Sequence, residues 1–202
     1  MSAVPAPESG PDAGAVWHYG DPLGEQRAAA TEAVIVDRGH RATIELTGDD
    51  RQSWLHTISS QHVSSLPEGS VVQNLSLDGQ GRVEDHWLQT ELGGVTTLDT
   101  ESWRGQPLAD FLRKMVFWAD VSIEPAGLAV LSLLGPGLAE PAVLAALGVA
   151  GAQPRCRVRP PVQRLLQRAG DVRRVGGVQQ VGRHDDQAAV GVVAAQCGEL
   201  HR

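Results

Sequence analysis

The aromatic residues of this 202-residue chain all lie before position 119, which limits where a packed core can form. They are Trp17, Tyr19, Trp54, Trp87, Trp103, Phe111, Phe117 and Trp118. The last isoleucine, Ile123, follows soon after them. Because large apolar side chains supply most of the area that a core buries, the sequence predicts an ordered domain over residues 16–150.

The C-terminal segment, residues 151–202, differs from the rest in charge and in residue types. Residues 1–154 carry 20 Asp or Glu against 8 Lys or Arg, whereas residues 155–202 carry 9 Arg against 4 acidic residues. The latter stretch also lacks Ser, Thr, Asn, Lys and Met, and every residue type in it can be encoded by GC-rich codons. We hypothesise an aberrant, frameshifted C-terminus, with an Arg-rich disordered tail or a nucleic-acid-binding arm as the alternatives.

The composition argues against several classes of protein. The net charge of −7 opposes general affinity for nucleic acid, which needs an excess of Lys and Arg. No apolar run approaches the roughly 18 residues that span a bilayer, and the N-terminus does not resemble a signal peptide. Cys156 and Cys197 lack the spacing of a zinc site or a disulfide framework. We therefore expect a soluble, cytoplasmic, monomeric protein that binds neither membrane nor nucleic acid.

The pattern within the ordered part alternates between strands and helices. Residues 1–15 combine Pro, Gly, Ser and acidic residues without periodicity, which is typical of a disordered leader. Residues 42–47 alternate as a half-buried strand, and Asp49 or Asp50 is then the expected N-cap of a short helix. Residues 71–77 and 82–90 flank Asp-Gly-Gln-Gly, which predicts a hairpin.

A third strand, residues 95–99, follows Gly93-Gly94 and completes an antiparallel meander. The apolar spacing after Pro107 predicts a helix with this proline in its first turn. Residues 120–124 and 128–134 are two further expected strands, the second central because it is continuously apolar, and residues 142–147 a last short helix. This order predicts an α+β fold with a mainly antiparallel sheet and helices packed on one side.

Four blocks in this order resemble successive signatures of the GcvT/YgfZ family over about residues 30–147. They are ELTGDDRQSWLHTISSQHV at 45–63, NLSLDGQGRVEDHWL at 74–88, FLRKMVFWADVSIEP at 111–125 and LAVLSLLGP at 128–136. The family contains the folate-dependent aminomethyltransferase of the glycine cleavage system and YgfZ-type iron–sulfur cluster proteins. The resemblance implies the family's folate-binding first domain, with tetrahydrofolate as its cofactor.

The segment Gly81-Arg82-Val83-Glu84-Asp85 favours the YgfZ branch, because the aminomethyltransferase usually has a double Gly followed by a double Asp. The YgfZ hallmark Lys-Gly-Cys-Tyr-x-Gly-Gln-Glu is absent from the chain. The resemblance implies a truncated accessory protein that binds folate and supports iron–sulfur client proteins and tRNA modification. An aminomethyltransferase and a non-functional truncated product are the alternatives.

The resemblance also implies site residues. Asp85 matches the family aspartate near the N5 and N10 edge of the folate, where a carboxylate accepts a hydrogen bond and stabilises positive charge. Trp87 has the same strand parity as Asp85, so its indole could stack on a flat ring, whereas Glu84 points to the opposite face. A solvent-facing aspartate and a core tryptophan are the alternatives.

Asn74 and Arg82 are two weaker candidates for hydrogen bonds to folate. Asn74 could instead satisfy backbone groups at a strand end, and Arg82 could be a solvated turn residue. The histidines at positions 56, 62 and 86 do not have the spacing of metal ligands, so no metal site is predicted.

Overall fold

The computed structural model describes residues 3–10 and 12–141 and, beyond them, two short strands at 173–174 and 192–195. The short helix expected at 142–147 and most of the tail expected at 151–202 lie outside the described residues. The strands are β1 (Val4–Pro5), β2 (Val16–His18), β3 (Val34–Asp37), β4 (Ala42–Thr47), β5 (Val71–Leu77), β6 (Val83–Leu92), β7 (Val95–Thr100), β8 (Ser122–Pro125), β9 (Val130–Leu134), β10 (Arg173–Arg174) and β11 (Val192–Ala195). The α-helices are α1 (Pro22–Thr31), α2 (Arg51–Ile58) and α3 (Ser102–Met115), and Pro136–Ala139 forms a 3-10 turn. The fold is α+β, as predicted.

The described residues form two compact units. Residues 41–127 form one unit, and the described residues of 1–40 and 128–202 form the other. The reason is the pairing of β3 with β9, which joins chain segments from either side of the inserted unit. No local sequence pattern predicts a pairing between strands that are so far apart in the sequence.

The inserted unit, residues 41–127, contains a five-stranded sheet in the order β5-β6-β7-β4-β8. Every neighbouring pair in it is antiparallel. The predicted meander is therefore confirmed, and β4 and β5 have the predicted bounds. Gly93 and Gly94 both have positive φ, at 63° and 74°, which is the backbone conformation that a tight two-residue hairpin turn requires.

Helices α2 and α3 pack on one side of this sheet. Their apolar side chains and the inward residues of the strands form one buried cluster: Ile44, Leu46, Trp54, Leu55, Val63, Trp87, Leu98, Leu108, Ala109, Leu112 and Ile123. The indole Nε1 of Trp54 donates to the carbonyl oxygen of Met115 at 3.1 Å, which ties α2 to the end of α3.

Two local predictions in this unit have different outcomes: the position of Pro107 was wrong, and the N-cap of α2 is confirmed. Helix α3 begins at Ser102, so Pro107 lies inside it instead of in its first turn. Asp50 is the N-cap residue of α2, but its side chain makes no capping bond. Instead, Asp50 Oδ2 accepts a hydrogen bond at 2.9 Å from the backbone N–H of Asp120, which attaches the helix start to the chain before β8.

The other unit contains the strand that the sequence predicts to be central. β9 lies between β3 and β11 in a four-stranded sheet with the order β10-β3-β9-β11. In the segment expected to be a disordered leader, β1 pairs with β2 and Ala6 is buried. None of the described helices is both long enough and apolar enough to cross a membrane.

Candidate functional site

The candidate site lies on the helix-facing side of the β5–β6 hairpin. In the strand register, Asn74 is opposite Trp87 and Ser76 is opposite Asp85. Directly opposed residues project to the same side of an antiparallel sheet, as do residues two apart in one strand. Three of the four predicted residues, Asn74, Asp85 and Trp87, therefore share one face, and Glu84 is exposed.

Asp85 is a buried carboxylate held by side chains from two other elements. Only 4% of its surface is exposed. Ser76 Oγ of β5 donates to its Oδ2 at 3.1 Å. Arg104 of α3 donates from Nε to its Oδ1 at 2.6 Å, and Nη2 of the same guanidinium lies 2.6 Å from that oxygen. A charge-assisted pair of this length fixes the orientation of the carboxylate and compensates its charge.

Trp87 belongs to the core of the inserted unit. Its side chain is fully buried within the cluster beneath the helices. Among the described residues, its Nε1 has no hydrogen-bond partner, so a polar N–H is directed into the interior. A buried N–H without an acceptor costs the protein the hydrogen bond that water would have supplied.

Asn74 is fully engaged by protein groups. Its Nδ2 donates to Ser59 Oγ at 2.9 Å and to Gln89 Oε1 at 3.1 Å. Its Oδ1 accepts from the backbone N–H groups of Gln61 at 3.1 Å and Leu75 at 2.9 Å. The amide therefore joins β5 to the segment after α2 and to β6, and its four hydrogen-bonding positions are all used.

Arg82 lies apart from the other three predicted residues, at the turn of the hairpin. Its side chain is 74% exposed, and Nε lies 3.7 Å from Asp78 Oδ2. Its guanidinium also donates to Gln80 Oε1. Gly81 at the same turn has φ of 80°, and the backbone N–H of Asp78 donates to the carbonyl of Arg82. Within the described residues, the Arg82 guanidinium makes its polar contacts with turn residues and not with Asp85.

The polar character of the helix-facing side continues along β6 to Glu91. This carboxylate is buried and accepts from Thr96 Oγ1 at 2.5 Å and from Gln89 Nε2 at 3.2 Å. Arg51 Nη2 of α2 lies 3.5 Å from its other oxygen. Each of the two buried carboxylates on this side is thus paired with an arginine from a helix, Asp85 with α3 and Glu91 with α2.

A second buried aspartate, Asp99, is paired on the opposite face of the sheet. Arg41 donates to Asp99 through Nε, and its Nη1 donates to Glu101 at 2.6 Å. Burial alone would lower the pKa of the Arg41 guanidinium, but the carboxylates of Asp99 and Glu101 outweigh it and raise that pKa above its ordinary value. This pair resembles the Asp85–Arg104 pair in chemistry, and the side chains of the two aspartates are equally buried.

Metal ligands are not gathered in the described part of the chain. No group of three or more His, Cys, Asp or Glu side chains there is arranged to hold a metal ion. The rings of His56 and His62 do meet edge to face, with their centroids 4.5 Å apart.

Sequence reasoning missed Ser76 and Arg104, the two residues that hold Asp85. Ser76 could have been found from the hairpin register, since it lies opposite Asp85 across the predicted turn. Arg104 is 19 positions beyond Asp85 and meets it only because α3 docks on the sheet. Neither the alternation of side chains along a strand nor a local motif predicts that contact.

Among the solved structures that match this chain is one with a similar fold. It is the crystal structure of glycine cleavage system aminomethyltransferase T from Bartonella henselae, and the superposition has a TM-score of 0.69. The fold is similar to that of part of this aminomethyltransferase T. The two sequences are 19% identical, and the match covers 86% of this chain and 56% of the Bartonella chain, so the chain spans about half of that relative.

The likeness to aminomethyltransferase T is one of structure alone. No protein-family profile matches the chain, and no curated protein matches it by sequence. At this level of identity, the aminomethyltransferase-like fold does not by itself assign an activity. The chemistry has to be argued from the surroundings of Asp85.

Proposed function

We propose that the chain binds tetrahydrofolate, with Asp85 as the anchor of the ligand, and that it acts as a YgfZ-type accessory protein. The observation that carries this proposal is the buried, doubly held carboxylate of Asp85 in an aminomethyltransferase-like fold. A carboxylate is rarely buried without a reason, because removing its charge from water is costly. Asp85 is also the residue at which the sequence resembles the family's folate-binding aspartate.

The chemistry of the ligand fits such an anchor. Reduced folate presents N–H donors at its N5 and N10 edge, and an ionised carboxylate is purely an acceptor with about four lone-pair positions. Ser76 and Arg104 occupy part of that capacity. Asp85 can therefore accept an N–H of the ligand once a donor has access to it.

The surroundings of Asp85 favour an accessory role over aminomethyl transfer. Transfer would require the carboxylate to stabilise a positive, iminium-like centre. In the segment next to it, Arg82 and His86 stand where the aminomethyltransferase usually has its second Gly and second Asp. This difference in sequence supports binding without transfer.

The remaining parts of the proposal rest on the family resemblance. A YgfZ-type protein supports the assembly or repair of iron–sulfur client proteins, including those that modify tRNA. We place this role in the cytoplasm and assign it to a monomer. The two alternatives, an aminomethyltransferase of the glycine cleavage type and a non-functional truncated product, give different results in the experiments below.

Thermal unfolding with and without 5-formyltetrahydrofolate tests binding. At a ligand concentration about 100-fold above Kd, binding to the folded state stabilises it by about 2.7 kcal/mol, which raises the Tm of a chain of this size by several degrees. Asp85→Asn should abolish most of that shift. Asp99→Asn is the matched control, because it also disrupts a buried Asp–Arg pair but on the other face, and its shift should equal that of the wild type. No shift in the wild-type protein would leave only the non-functional product.

Turnover separates the accessory protein from the enzyme. We expect no release of ammonia or methylenetetrahydrofolate when the chain is supplied with aminomethylated, lipoylated carrier protein and tetrahydrofolate. Turnover that disappears in Asp85→Asn and persists in Asp99→Asn would identify an aminomethyltransferase instead.

A further inference from the structure

Arg104 covers Asp85 from the solvent side. The Asp85 side chain is 3% exposed, whereas that of Arg104 is 27% exposed. The inner edge of the guanidinium, Nε and Nη2, is directed at Asp85 Oδ1. Among the described residues, none accepts a hydrogen bond from the outer Nη1. A ligand that seeks the carboxylate therefore meets Arg104 before it meets Asp85.

Trp103, the neighbour of Arg104 in the first turn of α3, contacts the guanidinium while it is paired with Asp85. Its indole is 59% exposed, although tryptophan is usually well buried. The guanidinium carbon of Arg104 lies 5.4 Å from the centre of that ring, within the range of a cation–π contact. That contact can hold the guanidinium when its ion pair with Asp85 breaks.

We propose that Arg104 is the gate of the folate site, closed on Asp85 in the free protein and resting on Trp103 when an N–H group of the ligand takes its place. This inference rests on the proposed function, because it assigns a conformational step to the same site. It also explains why a carboxylate assigned to ligand binding is almost inaccessible in the free protein. Trp103 and Arg104 thereby control access to Asp85 from α3.

The gate has a thermodynamic signature that a structural ion pair lacks. The apparent affinity of a ligand is reduced by the fraction of molecules in which the site is open. If Arg104 leaves Asp85 in about one molecule in ten, its removal should tighten binding about tenfold. Arg104→Gln should therefore lower the Tm of the free protein, because Asp85 loses its cation, and at the same time bind folate more tightly. A purely structural or ligand-anchoring arginine predicts unchanged or weaker binding.

Calorimetric titration with 5-formyltetrahydrofolate tests the gate. We expect the Kd of Arg104→Gln to be about tenfold lower than that of the wild type. Arg41→Gln, which breaks the matched pair with Asp99, should leave Kd unchanged. An unchanged or higher Kd for Arg104→Gln would overturn the gate while leaving folate binding intact, whereas a wild-type protein that binds no folate would overturn the gate and the proposed function together.

Trp103→Leu keeps the inference falsifiable if Arg104→Gln does not fold. Loss of the indole removes the resting position of the open guanidinium, so the open fraction falls and Kd should rise severalfold. Trp118→Leu is the matched control, since Trp118 is an exposed tryptophan of the same unit, and it should bind as the wild type does. Equal affinities for the two tryptophan variants would contradict the gate.

Discussion

Two buried aspartate–arginine pairs sit on opposite faces of the five-stranded sheet, and their surroundings differ in one respect. Arg41 is 9% exposed at its side chain and is paired with two carboxylates, those of Asp99 and Glu101, whereas Arg104 is 27% exposed and is paired, among the described residues, with the carboxylate of Asp85 alone. Breaking a buried pair costs more than a pair screened by water, because the remaining charge is left without compensation. The first pair is therefore the structural one, and the second is the one that can open at low cost.

Arg41→Gln should destabilise the protein more than Arg104→Gln does. We expect a loss of about 3–5 kcal/mol in the free energy of unfolding for the buried pair. The partly exposed pair should cost clearly less, because water can screen Asp85 after a small movement. Urea unfolding of both variants measures the difference. An equal or reversed order would contradict the assignment of Arg104 as a mobile residue.

Tyr19 is the only tyrosine of the chain, so its absorbance is a specific probe of the unit that contains residues 1–40. Burial, followed by the charges of Asp37 and Glu25, raises the pKa of its phenol above the ordinary value. The folded state therefore favours the neutral phenol. Its contribution to stability is fully present below a pH of about 10 and is lost as the pH rises through the raised pKa.

Phenolate absorbance during an alkaline titration should show Tyr19 ionising at higher pH in the folded chain than in the chain unfolded in urea. Tyr19→Phe should remove the signal and the associated loss of stability. Coincident titration curves for folded and unfolded protein would show that the residue is not in the environment described.

Helix α3 carries Trp103 and Arg104 and also approaches the sheet closely at Gly105. A Cβ built on Gly105, the residue after Arg104, would lie 2.3 Å from the Cβ of Ala42 in β4. That distance is far below van der Waals contact, so only glycine lets the helix lie this close. The position of Gly105 thereby sets how near Arg104 comes to Asp85.

Gly105→Ala should destabilise the protein by about 1–3 kcal/mol, because overpacking outweighs the gain of about 1 kcal/mol in helix propensity. Ala42→Gly, combined with it, removes the opposing methyl group and should recover part of the loss. Thermal unfolding of the single and double variants measures this coupling. A stable Gly105→Ala protein, unchanged by the second substitution, would show that α3 does not dock as described.

The sequence predicts the elements of this unit well and the contacts between them poorly. The alternation of β4 and β5 and the glycine turns of the meander are local signals, and the structure confirms them. The two-residue spacing of Asp85 and Trp87 is also a local signal, and both side chains lie on the helix-facing side of the sheet, as predicted. The contact with Arg104 depends on the docking of α3. Helix α1 and strand β3 were not predicted. Helix α1 buries only Ala28 and so shows no apolar periodicity, and β3 is short, with four residues.

At the scale of the whole molecule, the chain combines an acidic part with a basic tail of restricted composition. The aminomethyltransferase-like match covers 86% of the chain. Of the tail, the structure describes only Arg173–Arg174 and Val192–Ala195, which pair in parallel with β3 and β9. A frameshifted tail is still our hypothesis. A GC-rich gene translated in the wrong frame would yield a segment without Ser, Thr, Asn, Lys and Met, as residues 155–202 are.

The DNA downstream of codon 154 tests this hypothesis when it is translated in all three frames. We expect a second frame to encode the segment Lys-Gly-Cys-Tyr-x-Gly-Gln-Glu that marks YgfZ-type proteins. An intact frame through Arg202, with no such segment in the other two, would rule out a frameshift.

The central claim, that Asp85 anchors folate when Arg104 opens, is tested most directly by a crystal structure of the protein bound to 5-formyltetrahydrofolate. The account predicts a ligand nitrogen about 3 Å from the Asp85 carboxylate, with the Arg104 guanidinium withdrawn from Asp85 and held against Trp103. A ligand bound elsewhere while Arg104 still holds Asp85 would contradict it.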